Sequence, residues 1–123
     1  MADPTEAELL EASIARVWNE RNAGRRLAAI GEIYHPDAHI HEPTRSVTGH
    51  SAISDVVAGV LADMPPGFRF ELVGAPLGHH GVAVTRWKGG PPGQTIVSGA
   101  DAASIRDGKI YEHWFFFDPA PGG

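Results

Sequence analysis

Gly99 to Asp118 reads GADAASIRDGKIYEHWFFFD, two apolar-rich runs on either side of Asp107-Gly108. Asp-Gly between such runs is a strong hairpin signal, because these two residues tolerate the positive φ that a tight turn requires. A two-residue turn sets Arg106 opposite Lys109 and Ile105 opposite Ile110. Side chains alternate along a strand. Uninterrupted pairing therefore predicts one face carrying Gly99, Asp101, Ala103, Glu112, Trp114 and Phe116. The other face carries Ala102, Ser104, Tyr111, His113, Phe115 and Phe117. Asp101 becomes a carboxylate among small residues, facing an indole.

The chain before this hairpin divides in two. From Phe68 onward it alternates as strand: 68–77, a turn at Gly78-His79-His80-Gly81, 82–88, the connector GGPPGQ, then 95–105. Pairing across Gly78–Gly81 sets Leu72 opposite Trp87 and Val73 opposite Arg86, so Phe70, Leu72 and Trp87 share a face. Earlier, apolar residues recur at helical spacing. Asp3-Pro4-Thr5-Glu6 opens a helix through Leu9, Leu10, Ile14, Val17 and Trp18 to about Asn22. Arg25–Tyr34 is a second helix, ended by Pro36; Ala38–Glu42 is a short extended run. A third helix follows Thr48-Gly49-His50-Ser51 and stops at Pro65-Pro66. Helices grouped early and hairpin-linked strands grouped late indicate an α+β fold with a strongly curled antiparallel sheet around three helices. Residues 1–118 are expected to form one domain, and 119–123 a disordered tail.

Composition narrows the function. At 123 residues and 42% hydrophobic content the chain suits one soluble core. With no Cys it has no thiol nucleophile, and a net charge of −5 without a basic block disfavours nucleic acid and anionic membranes as partners. The acidic start and the lack of a long apolar run lead to an expected cytoplasmic location.

Four sequence features then occur in a telling order: Tyr34-His35-Pro36-Asp37-Ala38-His39-Ile40-His41-Glu42-Pro43, Gly49-His50-Ser51-Ala52-Ile53, Asp101 ahead of Asp107-Gly108-Lys109-Ile110, and Trp114. Together they resemble the nuclear transport factor 2-like superfamily, and within it the SnoaL-like polyketide cyclases and ketosteroid isomerases. The resemblance implies a cone, a curved sheet wrapped on helices with a pocket at its wide end. It also implies that Glu42, in His-Glu-Pro, occupies the place of the isomerases' general base. Asp101 takes the place of their buried hydrogen-bonding Asp and of the cyclases' catalytic acid/base. Trp18 stands where the isomerases have an oxyanion Tyr, and an indole donates a hydrogen bond but exchanges no proton as a phenol does.

Two carboxylates converging in an apolar pocket suit proton abstraction beside a carbonyl, since their surroundings can give one the base role and the other the acid role. Glu42 and Asp101 are therefore the candidate catalytic residues. Trp18, Tyr34, His50, Phe70, Trp87, Trp114 and Phe116 are candidate pocket walls for a small apolar molecule. No cofactor or metal is expected, because His39 and His41 face away from a pocket that Ile40 and Glu42 face. The stripe Tyr111, His113, Phe115, Phe117 would be wet in a monomer, which leads to an expected homodimer through the outer sheet face. Three functions fit: a cofactor-free isomerase, lyase or cyclase; a non-catalytic binding module; and a dimerisation domain.

Overall fold

A computed structural model of the chain describes residues 3–119; of the tail expected at 119–123, residues 120–123 lie outside the described residues. Helix α1 spans Glu6–Ser13 and begins in a capping box, with Thr5 Oγ1 accepting from the Glu8 amide at 3.1 Å and Glu8 Oε1 from the Thr5 amide at 2.9 Å. It continues as a π-turn over Ile14–Trp18, closed by the Asn19 amide on the Ile14 carbonyl. The helix thus stops at Trp18, short of the expected Asn22. Asn22 instead caps helix α2 (Ala23–Ile33), accepting the Arg25 amide at 2.9 Å. Helix α3 spans His50–Asp63.

Six strands form one sheet in the order β2-β1-β6-β5-β4-β3. They are β1 (Tyr34–Glu42), β2 (Arg45–Thr48), β3 (Arg69–His79), β4 (Val82–Gly90), β5 (Val97–Arg106) and β6 (Lys109–Phe117). All pairings are antiparallel except β1 with β6. The second helix ends before Pro36, which lies inside β1, so the short extended run grows into a strand that adds its own hairpin, β1–β2, to the sheet edge.

The apolar stripes of the helices fill the concave face: Leu10, Val17, Ile30, Ile53 and Val57 are fully buried. Burial in β4 alternates strictly, with Ala83, Thr85 and Trp87 inside. The expected pairs Leu72–Trp87 and Val73–Arg86 are present, but by a different route. The turn tightens to His80-Gly81, and Gly74–Pro76 bulge opposite Thr85; the two changes offset each other. No helix among the described residues is long and apolar enough to cross a membrane.

Candidate active site

The β5–β6 turn is the two-residue one expected, with positive φ at Asp107 (54°) and Gly108 (75°). Beyond it the pairing slips: Ile105 faces Ile110, but Ser104 faces Glu112, leaving Tyr111 as an extra residue on β6. A one-residue slip moves every following side chain to the opposite face. His113 and Phe115 therefore join Asp101 on the concave side, and Glu112, Trp114 and Phe116 turn outward. This corrects the expected faces of the hairpin. Trp114 and Phe116 do not line the cavity that Asp101 borders, and of the expected outer stripe His113 is fully buried while Phe115 and Phe117 border that cavity instead.

Asp101, 2% exposed, is held at both carboxylate oxygens. Trp87 Nε1–H donates to Oδ1 at 2.7 Å, and His113 Nε2 meets Oδ2 at 2.8 Å. Trp87 comes from β4, where Gly99 opposite it leaves room for the indole; a Cβ at Gly99 would sit 2.8 Å from Trp87 Cζ2. A carboxylate accepts, so His113 Nε2 carries the hydrogen. With that tautomer, Nδ1 accepts from the Tyr34 hydroxyl at 2.9 Å. The Tyr34 oxygen then accepts from Trp18 Nε1–H at 3.2 Å and from Ser13 Oγ at 2.7 Å. The chain Ser13–Tyr34–His113–Asp101 is buried throughout, and no buried side-chain N or O among the described residues lacks a partner. Burial holds the Tyr34 phenol well above its ordinary pKa.

In front of Asp101 opens a cavity of about 100 Å³. Its aromatic walls are Trp18, Phe70, Trp87, Phe115 and Phe117; Ile14, Val60, Met64 and Val97 supply the aliphatic ones. Glu42 and Asp101 are its two carboxylates. Glu42 also borders a shallow outer groove with Pro43, Trp114 and Phe116, which puts it at the rim, where Arg45 Nε donates to it at 3.2 Å.

Asn19 was not singled out from sequence, yet it aligns this wall. Its side chain accepts the Phe70 amide at 2.7 Å and donates to the Phe70 carbonyl at 2.9 Å, acting as a strand neighbour to β3. The π-turn before it sets Ile14 and Trp18 on the same cavity, with Trp18 edge-on to Phe70.

Two other candidates lie elsewhere. Tyr34 sits behind the cavity wall as the middle of the polar chain. His50 Nε2 lies 3.0 Å from the carbonyls of both Tyr34 and His35, where it joins the start of α3 to β1. His39 and His41 do face away from the cavity, bonded to Thr48 and Ser46, and His41 Nε2 meets Glu112 at 2.8 Å. Among the described residues no three His, Asp or Glu side chains are grouped so as to hold a metal ion.

A family model described as the SnoaL-like domain matches residues 11–113, a span holding Glu42, Asp101 and His113. The chain belongs to the SnoaL-like domain family. The SnoaL-like chain is similar to a solved structure from Agrobacterium tumefaciens, provisionally assigned as an isomerase of the SnoaL-like family. The two share 25% identity and a TM-score of 0.84, covering 93% of this chain and 97% of that one. A provisionally assigned ketosteroid isomerase from Kribbella flavida has 14% identity and a TM-score of 0.74, over 98% and 84% of the two chains. A provisionally assigned polyketide cyclase from Sinorhizobium meliloti has 18% identity and a TM-score of 0.66, over 87% and 92%. These last two likenesses establish the cone fold. No curated protein matches the sequence.

Proposed function

We propose that this SnoaL-like domain is a cofactor-free acid–base enzyme acting on a small apolar carbonyl compound, by isomerisation, dehydration or ring closure. The observation that carries this reading is Asp101, a carboxylate set in an apolar cavity wall and fixed by two N–H donors. Fixed geometry and exclusion of water are what a general base needs. Asp101 takes the proton from the carbon beside the carbonyl, and the C–H electron pair moves into the enolate. That transfer turns Asp101 into an acid, which returns the proton to another carbon or to a leaving hydroxyl. Glu42 at the rim is the second carboxylate, placed to relay protons between Asp101 and solvent. The names isomerase and polyketide cyclase carried by similar structures support the same class.

Deuterium exchange beside the carbonyl of cyclohexanone and 3-hydroxycyclohexanone in D₂O, followed by NMR, tests the reading. Exchange is expected with the native protein and not with Asp101→Asn. Exchange equal in the two proteins would remove Asp101 from the chemistry.

We also propose that two copies pair through the convex sheet face. A row of side chains crosses it from Leu77 through Val84, Ala102 and Trp114 to His41. Phe116, 55% exposed, lies beside it.

A further inference from the structure

The hydrogen-bonded chain behind the cavity wall holds one carboxylate and no cation. Asp101 accepts from the Trp87 indole and the His113 imidazole, both neutral N–H donors. The side chains of Asp101 and His113 are wholly buried, and among the described residues no Lys or Arg bonds to either. An ionised carboxylate taken out of water without a countercharge is costly. At the far end, the Tyr34 hydroxyl donates to His113 Nδ1 at 2.9 Å. Trp18 Nε1–H and Ser13 Oγ meet the phenol oxygen at 3.2 and 2.7 Å. Tyr34 therefore faces a base whose other nitrogen is already bonded to a carboxylate, an arrangement ready to accept a proton.

Two ways of losing that proton have opposite effects on the cluster. Loss of the proton to solvent would set a phenolate near a buried carboxylate, and burial, with the Asp101 charge adding to it, opposes this. Loss of the proton to His113 together with an electron leaves Tyr34 neutral and pairs a new imidazolium with Asp101. The cluster then passes from one buried negative charge to a neutral ion pair. We infer that Tyr34 is a redox-active tyrosine, giving its electron to a one-electron oxidant and its proton to His113. The O–H bond breaks and an Nδ1–H bond forms. Of the O–H electron pair, one electron stays on oxygen as the phenoxyl radical and the other reduces the oxidant. Trp18 touches the phenol oxygen and borders the cavity, so its indole is the route to an oxidant at the cavity mouth. Return of the electron draws the proton back from Nδ1. Tyr111 is built the other way: the Arg106 guanidinium sits 3.9 Å from its ring centroid and opposes electron loss.

Nothing in this step needs a ligand against Asp101, so it stands or falls separately from the carbon-acid chemistry. The chain has two tyrosines, and Tyr111→Phe leaves Tyr34 alone. The full-length Tyr111→Phe protein is photo-oxidised with tris(bipyridine)ruthenium and persulfate, and its radicals are followed by transient absorption and electron paramagnetic resonance. A phenoxyl radical is expected. Its rate of formation should stay constant between about pH 6 and 9, below the ordinary phenol range, because the proton acceptor is internal. Adding Tyr34→Phe should remove the phenoxyl signal and leave indole radicals. Adding His113→Phe instead should make formation slower and faster with rising pH, as hydroxide becomes the acceptor. Circular dichroism confirms the fold of each protein. Indole radicals alone from folded Tyr111→Phe protein, or a phenoxyl rate in that protein that climbs with pH, would overturn the inference.

Discussion

Asp101 and His113 meet at 2.8 Å because strand β6 holds one residue more than its partner between Ile110 and Glu112. Their Cα atoms are diagonal neighbours, since Asp101 faces Phe115 and His113 faces Ala103. Were Tyr111 paired with Ser104 instead of left over, the imidazole would point outward and Glu112 inward. Deleting Tyr111 removes the surplus residue and leaves Ile110 opposite Ile105 and Glu112 opposite Ser104, so His113 and Phe115 stay in the core and cooperative unfolding is expected to be kept. Tyr111→Ala keeps the extra residue and should retain a single sharp transition, as monitored by circular dichroism in urea. A deletion variant that lost its cooperative transition would contradict this account of the register.

Replacing His113 by Phe fills the space but leaves Asp101 Oδ2 and the Tyr34 hydroxyl without their partner. A buried polar group stripped of its partner costs about 1–3 kcal/mol. The unfolding free energy in water should fall by about that amount, read as a lower urea midpoint at unchanged slope.

Tyr34 gives the fold an alkaline limit. Its folded-state pKa is raised, chiefly by burial, so the folded chain keeps the phenol proton after the unfolded chain has lost it. The contribution is fully present below the ordinary tyrosine value near 10 and declines as pH rises above it, at about 1.4 kcal/mol per pH unit. Unfolding free energies measured between pH 9 and 11.5 should show this extra slope, and Tyr34→Phe should lack it.

Gly99 and Gly31 make an internal contrast. A Cβ on Gly99 would lie 2.0 Å from the Phe116 carbonyl oxygen and close to Trp87, whereas one on Gly31 meets nothing within 4 Å. Gly99→Ala is expected to destabilise by about 1–3 kcal/mol or more through overpacking. Gly31→Ala, inside α2, should stabilise by about 0.5–1 kcal/mol. Thermal unfolding of the pair checks both signs.

The convex row that ends at Trp114 and His41 is expected to be a dimer contact. Light scattering should give about twice the chain's 13.1 kDa, and Phe116→Asp should shift it toward the monomer. A native mass of one chain contradicts the dimer.

Much of the fold was legible because its signals are local. Asp107-Gly108, the helical periods and the Leu72–Trp87 pairing each depend on a few neighbouring residues. Strand β1 was under-read because Pro36 sits inside it, in a stretch whose pairing to β6 is irregular. The site was half legible. Asp101, Glu42, Trp18, Phe70 and Trp87 do line one cavity. His113 was assigned to the wrong face because strict alternation has no place for a bulge. One clue lay in Glu112, a charged residue that unbroken pairing pressed against Ala103; shifting it by one position frees it to meet His41 outside. The chain Tyr34–His113–Asp101 joins residues 79 and 12 positions apart, a juxtaposition that only the folded sheet creates.

The central claim is that Asp101 moves the proton. The most direct measurement is the rate of α-deuterium incorporation into 3-hydroxycyclohexanone by native protein and by Asp101→Asn. The variant's fold is confirmed by the retained indole signals of Trp18 and Trp87. A positioned acid or base contributes about 10²–10⁴-fold. A loss of that size in a folded variant is the expected result; undiminished exchange would contradict the account.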